Sequence, residues 1–441
     1  MHRNVALVIV ISLSWWAWPQ NGVVSASSGS PPTQSPISLT LDDAIRLAKA
    51  NAPQFRAALT ESRLAREERV QAQAAMLPNA SFTTGAIYTQ PNGTPTGAFV
   101  GANSVREYVS QGLVHEGLSF SSVADFRRAR SMEALARAKA EVAIRGLVTT
   151  VVKDFYVVVV AARKVHNAQL ASEEARRFVN LSQQLERGGE VAHSDVIKAQ
   201  LQSNERERDV QEARLAEQKA RLELAVLIFP NFLREYQLVD DLRQLPTLPE
   251  FAHVQNLASH NNPDLTAAVA ALRASQQEVN AAIGGHLPSL SLNYFYGIDA
   301  NQYATRAPDG VRNLGYQISA TLELPIFNWG VTQSKVRQAQ LRHDQARVEL
   351  SAAQRQALAN LQQFYDEAQT ARSQIDLLRQ SAELAEESLR LTRLRYRDGE
   401  ATALESVDAQ NMLVQARNNY DDGSVRYRVA IASLQTLTGS F

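Results

Sequence analysis

Apolar and polar residues recur along this chain at two spacings, and the switches between them mark out its parts. After Pro288, Leu290, Leu292, Tyr294, Tyr296 and Ile298 point one way and Ser291, Asn293 and Gly297 the other, with Phe295 a misfit. Leu314, Tyr316, Ile318, Ala320, Leu322 and Leu324 alternate with Gly315, Gln317, Ser319, Thr321 and Glu323. Successive side chains of a strand face opposite ways, so strands are predicted over about 289–298 and 313–325, apolar on one face and polar on the other. Phe82, Ala86 and Tyr88 echo the pattern, as does Val105–Val114 more weakly, which predicts strands near 80–90 and 105–115. Strands of about ten residues with this polarity suit a barrel wall between lipid and water. A soluble sandwich alternates identically, but it needs a second packed sheet, and few other strands are on offer. The polar, Gly- and Pro-rich stretches Pro91–Ser104 and Asp299–Arg312 join each pair. Four strands cannot close a barrel, for which about eight is the minimum, so closure needs several chains.

Elsewhere the spacing is helical. Ser121–Arg187 holds no Pro and one Gly, Gly146, while Val331–Arg397 holds neither. At 1.5 Å per residue each run reaches about 100 Å, too long for one globule. The second run carries a heptad, with Ala357, Phe364, Ala371, Leu378 and Ala385 in one column and Leu361, Ala368, Ile375, Ala382, Leu389 and Tyr396 in the other. That predicts coiled-coil contact, and Ala alternating with larger residues lets helix axes approach. Returning helices over about Ser194–Leu227 and Leu404–Leu437 complete two hairpins, 121–228 and 331–438. Their turns are Gly188-Gly189 and Asp398-Gly399, where glycine supplies the left-handed conformation that ends a helix. Remaining faces rich in Gln, Arg and Glu predict a wall wetted on both sides; a solid bundle would have a bulkier core.

The chain is written twice. Leu47-Ala48, Pro53, Ala57-Ala58 and Leu77-Pro78 recur 210 positions later as Leu257-Ala258, Pro263, Ala267-Ala268 and Leu287-Pro288. Gly189-Glu190 and Ala199-Gln200 recur at the same displacement as Gly399-Glu400 and Ala409-Gln410. Each half therefore reads short helix, medium helix, strand, loop, strand, long helix, Gly turn, medium helix. In the first half Thr40 caps the short helix and Asp42 and Asp43 suit its dipole. The predicted organisation is a first repeat at 27–228, a connector at 229–250 containing Pro230, Pro246 and Pro249, and a second repeat at 251–441.

Residues 1–26 read as a secretory signal, with Arg3, the apolar run Val5–Trp18 and a small-x-small cleavage site at Val24-Ser25-Ala26. A permanent anchor helix would need about 20 apolar residues, and Ser12, Ser14 and Pro19 interrupt this shorter run. No later stretch approaches a membrane helix, so entry into a membrane must use strands. The sequence has no Cys, which excludes disulfides, thiolate metal sites and a lipidated N-terminal cysteine. Lys+Arg and Asp+Glu number 45 each, a balance that points to neither nucleic acid nor an anionic surface. No phosphate loop, G-x-S-x-G elbow or H-E-x-x-H occurs. His115, His166, His193, His253, His260, His286 and His343 are scattered without the helical pairing that holds a metal. No enzyme, cofactor or metal is expected.

The stretch Tyr396-Arg397-Asp398-Gly399, followed by Val407-Asp408-Ala409-Gln410, resembles the hairpin turn of TolC-like outer membrane efflux proteins. Gly189 with Asp195-Val196-Ile197-Lys198-Ala199-Gln200 is similar to its first-half copy, and Leu324-Pro325-Ile326-Phe327-Asn328-Trp329-Gly330 to the family's strand-to-helix junction. The resemblance covers nearly the whole mature chain. It implies a mostly α protein with a β-barrel part: a trimer with a 12-stranded outer-membrane barrel, four strands per chain, continued by a long periplasmic helical barrel and an equatorial belt built partly from the connector. It implies a passive exit duct working with a periplasmic adaptor and an inner-membrane pump of RND or ABC type. At the periplasmic tip it implies acidic rings from Glu405 and Asp408 and hairpin links involving Tyr396, Ser194 and Asp195, beside the turns at Gly188, Gly189 and Gly399. Ala401 departs from the pattern, since some members carry there an arginine that makes linking bonds. Read from the residues alone, Glu405 and Asp408 are equally two acids favoured near a helix N-terminus. Two other classes compete: a periplasmic coiled-coil adaptor, which needs only one hairpin, and an exported filament, which predicts heptads without interrupting strands.

Overall fold

The structure, a computed structural model, describes residues 37–88 and 106–439; the expected signal at 1–26 and the loop Pro91–Ser104 lie outside the described residues. In chain order the first half runs β1 (Ile37–Leu39), α1 (Leu41–Asn51), α2 (Pro53–Ala74), β2 (Asn79–Tyr88), β3 (Arg106–Ser119), α3 (Phe120–Arg187) and α4 (His193–Ile228). After β4 (Tyr236–Leu238) come α5 (Phe251–Asn261), α6 (Pro263–Gly284), β5 (Ser289–Ala300), β6 (Leu314–Glu323), α7 (Val331–Arg397) and α8 (Ala403–Thr438). Three helix pairs, α1/α5, α2/α6 and α4/α8, keep the 210-residue displacement at both ends.

Local chemistry explains these boundaries. Thr40 and Asp43 form a reciprocal capping box at α1. Ala52 and Asn262 are extended because a proline follows each, and Pro53 and Pro263 then open α2 and α6.

The four long strands make one antiparallel sheet in the order β2-β3-β5-β6. Its register puts Leu290 opposite Leu322, Tyr294 opposite Ile318 and Tyr296 opposite Tyr316, and carries the apolar face on through Leu118 and Val114 of β3. On the opposite face His115, Asn293 and Ser319 stand side by side, with His115 Nδ1 2.7 Å from Asn293 Oδ1. Phe295, out of place by alternation, has Leu113 as its cross-strand neighbour on that polar face. β2 and β6 remain open edges within the chain. Among the described residues no helix is long and apolar enough to cross a membrane.

α3 and α7, at about 100 Å each, carry the chain away from the sheet, and α4 and α8 return along them. Near the sheet α2 and α6 flank α3, and α6 also packs on α7; farther away α3 packs on α8. Midway, Val151, Val152, Phe155 and Tyr156 of α3 form an apolar core with α1, the end of α4 and Leu242 of the connector. A second core joins α5, α7 and α8 through Leu361, Ala368, Ile375, Tyr427 and Leu434.

The connector does more than link. β4 pairs in parallel with β1, a contact the sequence pattern does not announce. Arg163 of α3 donates to Asp240 of the connector and to Asp421 of α8 at 2.6–2.8 Å, while Arg428 of α8 reaches Asp241. Tyr427 donates to the Pro246 carbonyl at 2.6 Å. Both repeats are thus buckled to one strap halfway along the hairpins.

Candidate functional site

At the end farthest from the sheet the two turns are built alike. Gly189 N donates to the Glu186 carbonyl and Glu190 N to the Leu185 carbonyl, each at 2.9 Å. Gly399 N and Glu400 N repeat these bonds to Tyr396 and Arg395 at 3.2 and 2.7 Å. The paired bonds are a Schellman motif, and φ values of 78° and 77° at Gly189 and Gly399 place both in the left-handed region where a Cβ is costly. Gly188 is the C-cap of α3, at right-handed backbone angles.

Tyr396 belongs to the second hairpin, yet its side chain lies in the first. Only 2 % of it is exposed; its hydroxyl stands 3.1 Å from Ser182 Oγ and its ring 4.9 Å from that of Phe178, both on α3. Ala199 of α4 and Ala403 of α8 are buried in the same cluster, and Ala401 packs at its margin as a small apolar residue. Burial pushes the Tyr396 phenol above its ordinary range, against the Ser182 hydrogen bond, and the Asp195 charge adds to the upward push. The tyrosine therefore stays protonated. Just above, Arg393 of α7 pairs with Glu174 of α3.

The other expected residues divide. Asp195 is half-buried, close enough to act on Tyr396, and pairs with Lys198 at 3.3 Å. Ser194 is exposed, and its hydroxyl has no hydrogen-bond partner among the described residues. Glu405 closes a capping box with Thr402, accepting from Thr402 N at 3.3 Å and Oγ1 at 3.1 Å, and lies 3.5 Å from Arg395. Asp408, one turn farther along α8, is exposed and unpaired among the described residues. Ser182, Phe178 and Glu174 were not singled out by the sequence, since nothing in a heptad column reveals which distant helix will face it. His193 stands 2.6 Å from Glu186 across the first turn. Among the described residues no group of His, Asp or Glu could hold a metal ion.

This arrangement joins the two hairpins at their tips through one buried side chain and one ion pair. The chain is similar to several known proteins. The family model described as "Outer membrane efflux protein" matches residues 254–440. The proteases secretion protein PrtF of Dickeya chrysanthemi is 23% identical over 433 residues, covering 95% of this chain and 91% of the relative. The alkaline protease secretion protein AprF of Pseudomonas aeruginosa is 23% identical, covering 91% and 85%. Among solved structures, the Campylobacter jejuni CmeC outer membrane channel superposes with a TM-score of 0.80 at 18% identity, over 96% of this chain and 93% of that one.

Proposed function

We propose that the chain is an outer membrane efflux protein of the TolC type, three copies of which close a 12-stranded barrel in lipid and continue as one helical tube toward the inner membrane. One observation carries this reading: a four-stranded sheet, apolar on one face and polar on the other, ends in two unpaired edges and runs straight into two hairpins of about 100 Å. Unpaired edges are not tolerated in hydrocarbon, and the β6 edge of one copy has the β2 edge of the next as its natural partner. The polar ladder of His115, Asn293 and Ser319 then faces water inside, and Tyr294 and Ile318 face lipid.

The duct is passive. Cargo enters from an inner-membrane pump joined by a periplasmic adaptor, and the pump selects the cargo. At the tip, Asp408 from three copies forms the acidic constriction; like charges brought to a narrow axis repel and bind cations. Glu405 contributes charge there while holding its helix cap. Tyr396, seated between Ser182 and Phe178 and close to Asp195, keeps the hairpins together, and its release widens the tip.

The test is reconstitution of the processed chain into planar bilayers, with particle imaging of the same sample. Three-fold particles and cation-preferring conductance that falls in Asp408→Asn are expected. A stable monomer in plain buffer, with no affinity for bilayers, overturns the proposal.

A further inference from the structure

The wall just below the sheet carries a groove that the duct itself does not use. Leu118 of β3 lies on the apolar face, in register with Leu290. Beneath it a 600 Å³ groove between the start of α3 and the end of α6 takes in Leu118, Phe120, Val123, Ile283 and Leu287 and ends at Arg127. These five apolar side chains are all exposed. From Arg127 a second groove of 760 Å³ follows the α3–α6 seam and adds Arg130 and Arg273. No carboxylate lines it, and among the described residues none of the three arginines is paired with one.

Height and sidedness follow from the same elements. Because Leu118 shares its face with Tyr294 and Ile318, the groove opens on the side that faces lipid. Arg127 and Arg130 lie about 10–15 Å along α3 from the sheet, and Arg273 about 16 Å back along α6. The headgroup layer reaches about 5–8 Å beyond the hydrocarbon, and long arginine side chains extend toward that interface. Arg63 and Arg337 stand at the 210-residue positions on α2 and α7, so a closed ring would repeat the basic pair between copies.

We propose that this groove binds an anionic phospholipid of the leaflet at the barrel's inner rim. Its phosphate is held by Arg127, Arg130 and Arg273, and its acyl chain lies against Leu118, Phe120 and Ile283. The inference rests on the outer-membrane reading above.

The test is native mass spectrometry of the processed full-length assembly in detergent, with phosphatidylglycerol and phosphatidylcholine as competing probes. Wild type should retain phosphatidylglycerol preferentially, and R127Q/R130Q/R273Q should cut that preference roughly 100-fold, at about fivefold per charge. The Arg→Lys triple variant should keep most of it, because a point charge suffices. An unchanged preference in the Gln variant, with the oligomer intact in the same spectra, overturns the lipid site alone. Complete displacement by millimolar inorganic phosphate overturns it too, by revealing a free-anion site. A wild-type chain that never assembles takes the duct reading down, and this inference with it.

Discussion

Hairpin α3–α4 and hairpin α7–α8 share their length, turn and spacing, but the chain covers them unequally. The middle of α3, from Leu147 to Val160, is packed under α1, β1 and the connector. On α7 the face toward α8 and α5 is closed, by Leu361, Ala368, Ala371, Ile375 and Leu389, whereas Leu377, Leu384 and Leu391 stand exposed at heptad spacing on another face. α4 also exposes Leu201, Leu215 and Leu222. In the trimer proposed above, these exposed faces of α7 and α4 are left for a neighbouring copy to cover.

The largest effect should come from denying that neighbour. L377Q/L384Q/L391Q removes the exposed column and spares the buried one, so light scattering in detergent should find monomers with helix content unchanged. Persisting trimers would mean that α7 is covered differently. Next, Tyr396→Ala opens a cavity where the hairpins meet and should cost about 3–5 kcal/mol of local stability, read as lost amide-exchange protection in α3 near Phe178. Equal loss at the strap would show that the tip is no separate unit.

Arg163→Ala leaves Asp421 without its cation and should cost about 2–3 kcal/mol, less than a fully buried pair because Arg163 is partly wet. A cap exchange sharpens the comparison between hairpins. Thr402→Ala should cost about 1 kcal/mol, whereas Ala192→Thr, which gives Asp195 a capping-box partner like that of Glu405, should add a fraction of that to the first hairpin. The smallest effect is alkaline. The phenol of Tyr396 is held above its ordinary 10, so the native state keeps a proton that the unfolded chain loses. Tip protection is therefore full below about pH 10 and falls as pH rises beyond it. Tyr396→Phe should abolish this slope for roughly 1 kcal/mol of protection.

The long elements were legible because each carries a period: both long helices, both turns and all four sheet strands begin within a residue or so of where spacing put them. β1 and β4 were not, since three residues hold no period and their pairing spans most of the first repeat. The partners of Tyr396 and of Arg163 were hidden for a related reason. A heptad column says that a face is covered, and only the closed fold says by what. Phe295 looked like an error in alternation until the register supplied Leu113 beside it.

The matched arms of the hairpins also limit how such a protein can grow. Contacts between arms return every seven residues, and an insertion of any other small number rotates the apolar column off its partner. One heptad adds about 10 Å of rise. The four arms below the strap must lengthen in concert, or the two tips no longer meet at Tyr396. A cell with a wider gap between its membranes would therefore have to refit this protein in discrete steps of about that size.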